Sequence, residues 1–290
     1  MKPAFSAVLV NYNSGGELRR ALESIDRESA GPWEGVVVDN ASTDGSERTA
    51  VGFESTQLLR NRENVGFGRG VNQGVAACTA DRILIMNPDC RLATGALPPL
   101  MAVLDADPRC AIAAPRILDP DGSPQGNARG DPDMLTGLFG RTSTLRRSLS
   151  GLDVARRNVI TADAPTEVDW VSGACMLVRR DALASVGGFD ERYFMYGEDL
   201  DWAYRIKAAG WKIMYVPAAR ATHVKRASSR SNRSKTIRAF HDSMRIFYRD
   251  HYASGYPRPL SWLIFRAIDV REALELAAAR FGRPAGGVAA

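Results

Sequence analysis

Short β-branched runs that each end in a polar cluster, separated by stretches of helical spacing, constrain this chain most. Ala7 to Val10, Val36 to Val38 and Ile83 to Met86 are such runs, and they predict strands. Between the first two, Glu17 to Ile25 places apolar residues at Leu18, Leu22 and Ile25, the pattern of a helix with one buried face. A second helix is expected from about Gly68 to Ala77, with ends blurred by its glycines. Strand, helix, strand, helix in this order calls for right-handed crossovers and a parallel sheet, whose ligands collect at the carboxyl ends of the strands. The expected class is therefore α/β, a Rossmann-like, mostly parallel central sheet flanked by helices. The polar clusters fall at those strand ends.

The first cluster is Asn11-Tyr12-Asn13-Ser14 and the second runs from Asp39 and Asn40 through Ser42, Thr43 and Asp44 to Ser46. Ser42, Thr43 and Asp44 suit a turn and a helix cap. Asp39 closes an apolar strand, where a carboxylate meets a ligand or a buried partner. A third cluster, Asn64-Val65-Gly66-Phe67-Gly68-Arg69-Gly70-Val71-Asn72, sets glycines at a helix start, where amides can approach a diphosphate. It lacks the Lys-Ser/Thr ending of a P-loop and the strand-to-glycine context of a dehydrogenase, which counts against both. In the fourth, Asn87-Pro88-Asp89, Asp89 offers hard oxygen ligands to Mg²⁺ or Mn²⁺; an ordinary Asx-Pro turn is the alternative.

Trp170 to Arg205 is the most informative segment. A helix starting near Glu198 would set Glu198, Asp199 and Asp201 at its positive end, with Glu198, Asp201 and Arg205 on one face and an ion pair within reach of Arg205. Asp199 would point elsewhere, beside Trp202, free to take a proton from a bound hydroxyl. A purely structural acidic helix start is the competing explanation.

With these pieces in order, the chain resembles the inverting family 2 glycosyltransferases of the GT-A fold, particularly the bacterial rhamnosyltransferase-like branch. The resemblance spans roughly residues 5 to 226 and rests on Val10-Asn11-Tyr12-Asn13, Val38 to Ser46, Asn64 to Gly68, Asn87-Pro88-Asp89, Gly173-Ala174, Gly188-Phe189-Asp190-Glu191 and Gly197 to Asp201. It implies that Asp39 contacts the nucleotide base, that Asn11 and Asn72 line the nucleotide-sugar pocket, and that Asp89 supplies a metal-site carboxylate. It further implies that His223 approaches the metal or diphosphate and that Asp199 is the general base. The donor site so drawn also takes in Asn13, Asn40, Asp44, Asn64, Gly66, Phe67, Arg69 and Asn87, and the acceptor side Gly173, Glu198, Asp201 and Trp202. Many members carry two or three aspartates at the metal motif. Asn87 stands in the first of those places here, which weakens carboxylate coordination.

The resemblance implies one in-line displacement on a nucleotide-sugar donor, dTDP-L-rhamnose first and UDP-hexoses next, with a glycan or polyprenyl-diphosphate-linked acceptor. Residues 1–95 would form the donor half, 96–226 the acceptor half and 227–290 a basic helical appendage. A sugar nucleotidyltransferase would need a basic glycine-rich loop after the first strand, where Asn11 to Ser14 stand. A silent sugar-nucleotide-binding module would be expected to lose Glu198-Asp199.

At 290 residues the chain can bury a sizeable core. Cys78, Cys90, Cys110 and Cys175 are too scattered for a zinc or redox motif and are expected as buried apolar side chains. Thr136 to Val159 reads as a mobile excursion beside the acceptor site. The N-terminus carries no signal-peptide pattern, which predicts a cytoplasmic protein.

The net charge of +5 is too small to make nucleic acid the default partner. It is concentrated, however: ten Lys or Arg lie between Arg220 and Arg258 against Asp242 and Asp250. Arg226, Arg230, Arg233, Lys235 and Arg238, with Trp262 and Phe265, form a candidate contact for an anionic membrane; a solvated face or a homodimer contact is the alternative. Leu260, Leu263, Ile264 and Ile268 form a helical stripe for the core or a second chain, and Trp262 to Phe265 is too short to span a bilayer.

Overall fold

The computed structural model describes residues 2–130, 159–224 and 233–280. The first three expected strands are present as β1 (Ser6–Asn11), β2 (Glu34–Asp39) and β4 (Arg82–Met86), with β3 (Thr56–Arg60) added at the edge. The first two helices are α1 (Glu17–Glu28) and α2 (Phe67–Ala77). β1 pairs in parallel with both β2 and β4, and β2 with β3. Every residue of β1 is buried, the requirement of a parallel strand covered on both faces.

The glycines of α2 have a packing reason. A Cβ at Gly70 would stand 2.9 Å from Val10, and one at Gly74 would stand 2.4 Å from Val8. Helix and strand therefore approach at backbone distance, which a larger side chain would prevent. The opposite face of the sheet is closed by Leu18, Leu22 and Ile25 of α1, together with Leu97, Leu100 and Leu104 of α3 (Leu97–Ala106).

The second half continues the same sheet. Its strands are β5 (Cys90–Leu92), β6 (Cys110–Leu118), β7 (Ala128–Arg129), β8 (Thr166–Val168), β9 (Trp170–Val171), β10 (Cys175–Arg179) and β11 (Lys212–His223). The main sheet runs β3-β2-β1-β4-β10-β6-β11-β5, with β8 on β11, while β7 and β9 form a separate pair. β10 is antiparallel to β4 and β6, so the sheet is mixed beyond β4. Helices α4 (Arg180–Val186) and α5 (Glu198–Ala208) follow β10, and Trp202 of α5 sits in the core on the α2 side.

The C-terminal helices α6 (Arg233–His251) and α7 (Arg258–Arg280) pack on each other through Tyr248, Ile264 and Ile268. Arg245 ties them by ion pairs to Asp269 and Glu272. Of the expected apolar stripe, Ile264 and Ile268 are buried, whereas Leu260 and Leu263 are exposed. Phe265 meets Tyr248 edge-on inside this pair, and Trp262 stays 61% exposed. Arg226 and Arg230, and residues 136–158 of the expected excursion, lie outside the described residues. All four cysteines are free and buried. Among the described residues, no helix is long and apolar enough to cross a membrane.

Candidate active site

At the carboxyl ends of β1 and β2, polar side chains knit two loops together. Asn11 is fully buried, and its Nδ2 donates to Asp39 Oδ1 at 2.8 Å and to Ser46 Oγ at 2.9 Å. The other Asp39 oxygen accepts the Ser42 amide. Asn13, with φ of 50°, accepts the Thr43 amide at 2.7 Å. Asp44 accepts the amides of Gly15 and Ser46. Burial works against the Asp44 charge, but these hydrogen bonds outweigh it and hold its carboxyl below the usual range.

The glycine-rich loop packs closely on the second half of the chain. A Cβ at Gly66 would lie 2.5 Å from the Phe194 carbonyl oxygen, which accepts the Phe67 amide. Asn40 donates to the Gly66 carbonyl and to Asn64, whose Oδ1 accepts the Gly66 amide. Asn72 bonds both backbone groups of Phe189, and Arg69 pairs with Glu191. Phe67 meets Phe189 edge-on. The segment thus fastens the first half to residues 188–194, and its glycines serve close backbone approach.

Asp89 and His223 do come together. β11 pairs antiparallel with β5 so that His223 stands opposite Cys90, and His223 Nε2 lies 3.1 Å from Asp89 Oδ1. Asn87 Nδ2 is 3.5 Å from the same nitrogen. Cis ligands on an octahedral ion at about 2.1 Å lie about 3 Å apart, so the pair has the spacing of two donors on one cation. No cluster of three or more His, Cys, Asp or Glu exists among the described residues. A cation here would complete its shell with water and diphosphate oxygens, as Mg²⁺ commonly does. The donor set fits.

β10 delivers the third part. Its antiparallel course brings the Ala174 carbonyl to the Asn87 amide at 2.9 Å. One residue earlier, the Gly173 amide donates to Asp199 Oδ2 at 2.9 Å, and the Leu200 amide donates to Oδ1 at 2.8 Å. A short backbone bridge therefore joins the Asn87 turn to the Asp199 carboxylate. Burial raises the Asp199 pKa, opposed by these amides and by the charge of Arg129. Glu198 is pushed up to about 8, by burial first and by the neighbouring Asp199 second, and its Oε2 has no hydrogen-bond partner. The Gly173 and Leu200 amides and the Arg129 charge favour the anion at Asp199, whereas burial and the neighbouring Asp199 favour the proton at Glu198.

Trp202 and Asp201, expected on the acceptor side, are committed to the protein interior. Trp202 is 0% exposed and donates its indole N–H to the Gly187 carbonyl. Asp201 is 2% exposed and is shared between Arg205, at 2.9 Å, and His251 of α6, at 2.7 Å. Glu198 is buried as well, and Gly173 acts through its amide on Asp199. The pair foreseen for Arg205 is real, but it spends Asp201 on structure. Sequence reasoning missed Gln125, which contacts His223, and Arg129, whose guanidinium lies 5.4 Å from the Trp170 ring centroid. Neither belongs to a recognisable motif; only β-pairing across long separations brings them in.

A parallel nucleotide-binding unit, widened by an antiparallel strand and carrying acids at its carboxyl edge, defines a GT-A glycosyltransferase. Comparison with known proteins narrows the class. A model of glycosyl transferase family 2 matches residues 6–187, and the chain belongs to that family. An N-acetylglucosaminyl-diphospho-decaprenol L-rhamnosyltransferase of Mycobacterium tuberculosis is 32% identical over 286 residues, covering 94% of this chain and 93% of the relative. Rhamnosyltransferase WbbL of Escherichia coli K12 is 47% identical over 73 residues, 25% of this chain and 28% of WbbL.

Two solved structures share the fold. GalNAc-T7 with UDP, GalNAc and Mn²⁺ aligns at a TM-score of 0.63 and 19% identity, over 98% of this chain but 58% of that one. The mannosyltransferase PcManGT from Pyrobaculum calidifontis, in complex with GDP-Man and Mn²⁺, aligns at 0.57 and 20% identity, over 97% and 76%.

Proposed function

We infer that this glycosyltransferase moves L-rhamnose from dTDP-L-rhamnose to a polyprenyl-diphosphate-linked glycan, with inversion and with Asp199 as general base. The observation that carries the mechanism is the Asp199 carboxylate, held by the Gly173 and Leu200 amides and bridged by backbone to the Asn87-Pro88-Asp89 turn. The rhamnosyl and lipid-linked parts of the reading rest on the relative that aligns along nearly its whole length. Residues 1–95 hold the donor, its nucleoside against the joined loops of Asn11 to Ser14 and Asp39 to Ser46. Residues 96–226 receive the acceptor.

The acceptor hydroxyl loses its proton to Asp199 as its oxygen bonds the anomeric carbon and the bond from that carbon to the diphosphate breaks. Asp89 and His223 would hold a divalent cation, which neutralises charge on the departing nucleoside diphosphate. Arg129 favours the ionised base before the acceptor arrives. Incubation with dTDP-L-rhamnose and a polyprenyl-diphospho-N-acetylglucosamine should release dTDP and lengthen the lipid by one deoxyhexose. Turnover with UDP-hexoses alone would favour the UDP-hexose alternative.

The C-terminal helices would face an anionic membrane that presents the acceptor. Exposed Trp262 and Leu263 stand near Arg258 and Arg266 on α7, a pairing of apolar and cationic groups suited to such a surface. Sedimentation with anionic but not neutral vesicles, weakened by salt, is expected. Equal failure with both at low salt would remove the membrane contact and leave a subunit contact as the use of that face.

A further inference from the structure

Helix α7 has two apolar faces and buries one of them. Ser261, Ile264 and Ile268 are buried, the last two against Tyr248 of α6. On another side of the same helix, Leu260, Leu263, Val270 and Leu274 are 38% to 66% exposed, and Ala267 and Ala277 are exposed with them. Positions 260, 263, 267, 270, 274 and 277 alternate in steps of three and four. That spacing has a period of 3.5, the seam by which one helix packs along another. The seam carries no charge, and at 100° per residue Trp262, Arg258, Arg266 and Arg280 fall on the edge beside it.

The seam complements itself in one direction. Run antiparallel against a second copy, Leu260 meets Ala277, Leu263 meets Leu274 and Ala267 meets Val270. Each alanine then faces a larger side chain, and Arg266 flanks Ala273. A parallel copy would set alanine on alanine at 267 and 277, leaving gaps, and would bring Arg266 beside Arg271, a like-charge contact.

We propose that this seam pairs α7 antiparallel with α7 of a second copy of the chain, giving a two-fold homodimer. The seam is about 26 Å long at 1.5 Å per residue. A helix pair of that length buries on the order of 1,000 Å² in total, about what a specific interface requires. The pairing leaves Trp262 and Arg258 outside it, so the edge assigned above to a membrane stays open.

The test uses the full chain in solution without lipid. At about 10 µM and above, where an interface of this size associates, sedimentation equilibrium should give twice the mass of one chain. Leu274→Glu changes an exposed position and would bury a charge against Leu263 of the second copy. It should weaken dimerisation at least about 100-fold, while the melting temperature of the diluted, monomeric protein stays that of the wild type. Cross-linking reads the direction, since the four native cysteines are buried. An equimolar mixture of Leu263→Cys and Leu274→Cys chains should form, under mild oxidation, a disulfide-linked pair that neither variant forms alone.

A wild type that stays monomeric at every concentration overturns the proposal, as does a dimer indifferent to Leu274→Glu or a cross-link of either variant with itself. If the chain is monomeric without lipid and Leu274→Glu abolishes binding to anionic vesicles, the seam belongs to the membrane contact and the pairing is refuted. Each of these results leaves the sugar-transfer reading untouched, because turnover tests that separately.

Discussion

The loops after β1 and β2 and the start of α5 are both polar, but they are built on opposite terms. At the ends of β1 and β2, the side chains of Asn11, Asn13, Asp39 and Asp44 are matched to amides, hydroxyls and one another. At the start of α5, two carboxyl groups lie side by side, one with an oxygen that has no partner. Saturated hydrogen bonding fixes a shape, whereas an unsettled acid pair fixes a proton affinity. On the proposed reading, the first region receives the ligand and the second performs the transfer.

Asp199→Asn attacks the second region directly and carries the largest expected effect. Turnover should fall by about 10² to 10⁴, the usual worth of a general base, while dTDP binding and the melting temperature change little. Near-normal turnover by the folded variant would erase the distinction between the regions. Asp89→Ala should raise the metal and donor concentrations needed for activity by about 10² or more, since it removes a proposed ligand. Full wild-type activity after exhaustive chelation would refute the cation role.

In the donor region, Asp39→Ala should act on shape. It leaves the Ser42 amide without its acceptor and Asn11 Nδ2 with only the Ser42 and Ser46 hydroxyls, at a cost of about 1–3 kcal/mol in stability, and it should weaken donor binding more than kcat. A drop in kcat with unchanged donor affinity would show that the donor loops share in the chemistry.

The smallest effect is on pH dependence. A carboxyl whose pKa is raised on folding binds its proton more tightly in the folded state, so its stabilisation is complete below about 4.5 and is lost as pH rises toward about 8. Melting temperature should therefore decline across that window in the wild type and decline less in Glu198→Gln. Identical profiles would mean that Glu198 is not held protonated. The acidic limb of turnover should lie above the ordinary aspartate range, because the Asp199 pKa is raised and the base must be ionised to act.

The first half was legible because its signals are local. β1, α1, β2 and β4 each carry their own periodicity, and the polar clusters adjoin them in sequence. The order of motifs also singled out Asp89 and His223, which the fold brings within 3.1 Å of each other, and Asp199, which accepts the Gly173 amide. Asp201 and Trp202 misled because an acidic, aromatic helix start looks the same whether it faces a substrate or a packed neighbour. What decided between these was His251, which meets Asp201 from 50 residues away. Gln125 and Arg129 gave no signal, since Gln125 meets His223 only where β6 and β11 pair, and Arg129 meets Trp170 only where β7 and β9 pair.

The tail joins the body where the chemistry is. Ser243 of α6 bonds the Met195 carbonyl, Tyr196 meets Phe240, and His251 grips Asp201 two positions past the base. The last helices are thus a splint for the loop that carries the proposed base, whatever else they touch. A truncation or scanning experiment that finds inactive variants in α6 would be misread as mapping an acceptor site; the fault would lie in a base that has lost its alignment while every substrate contact remains.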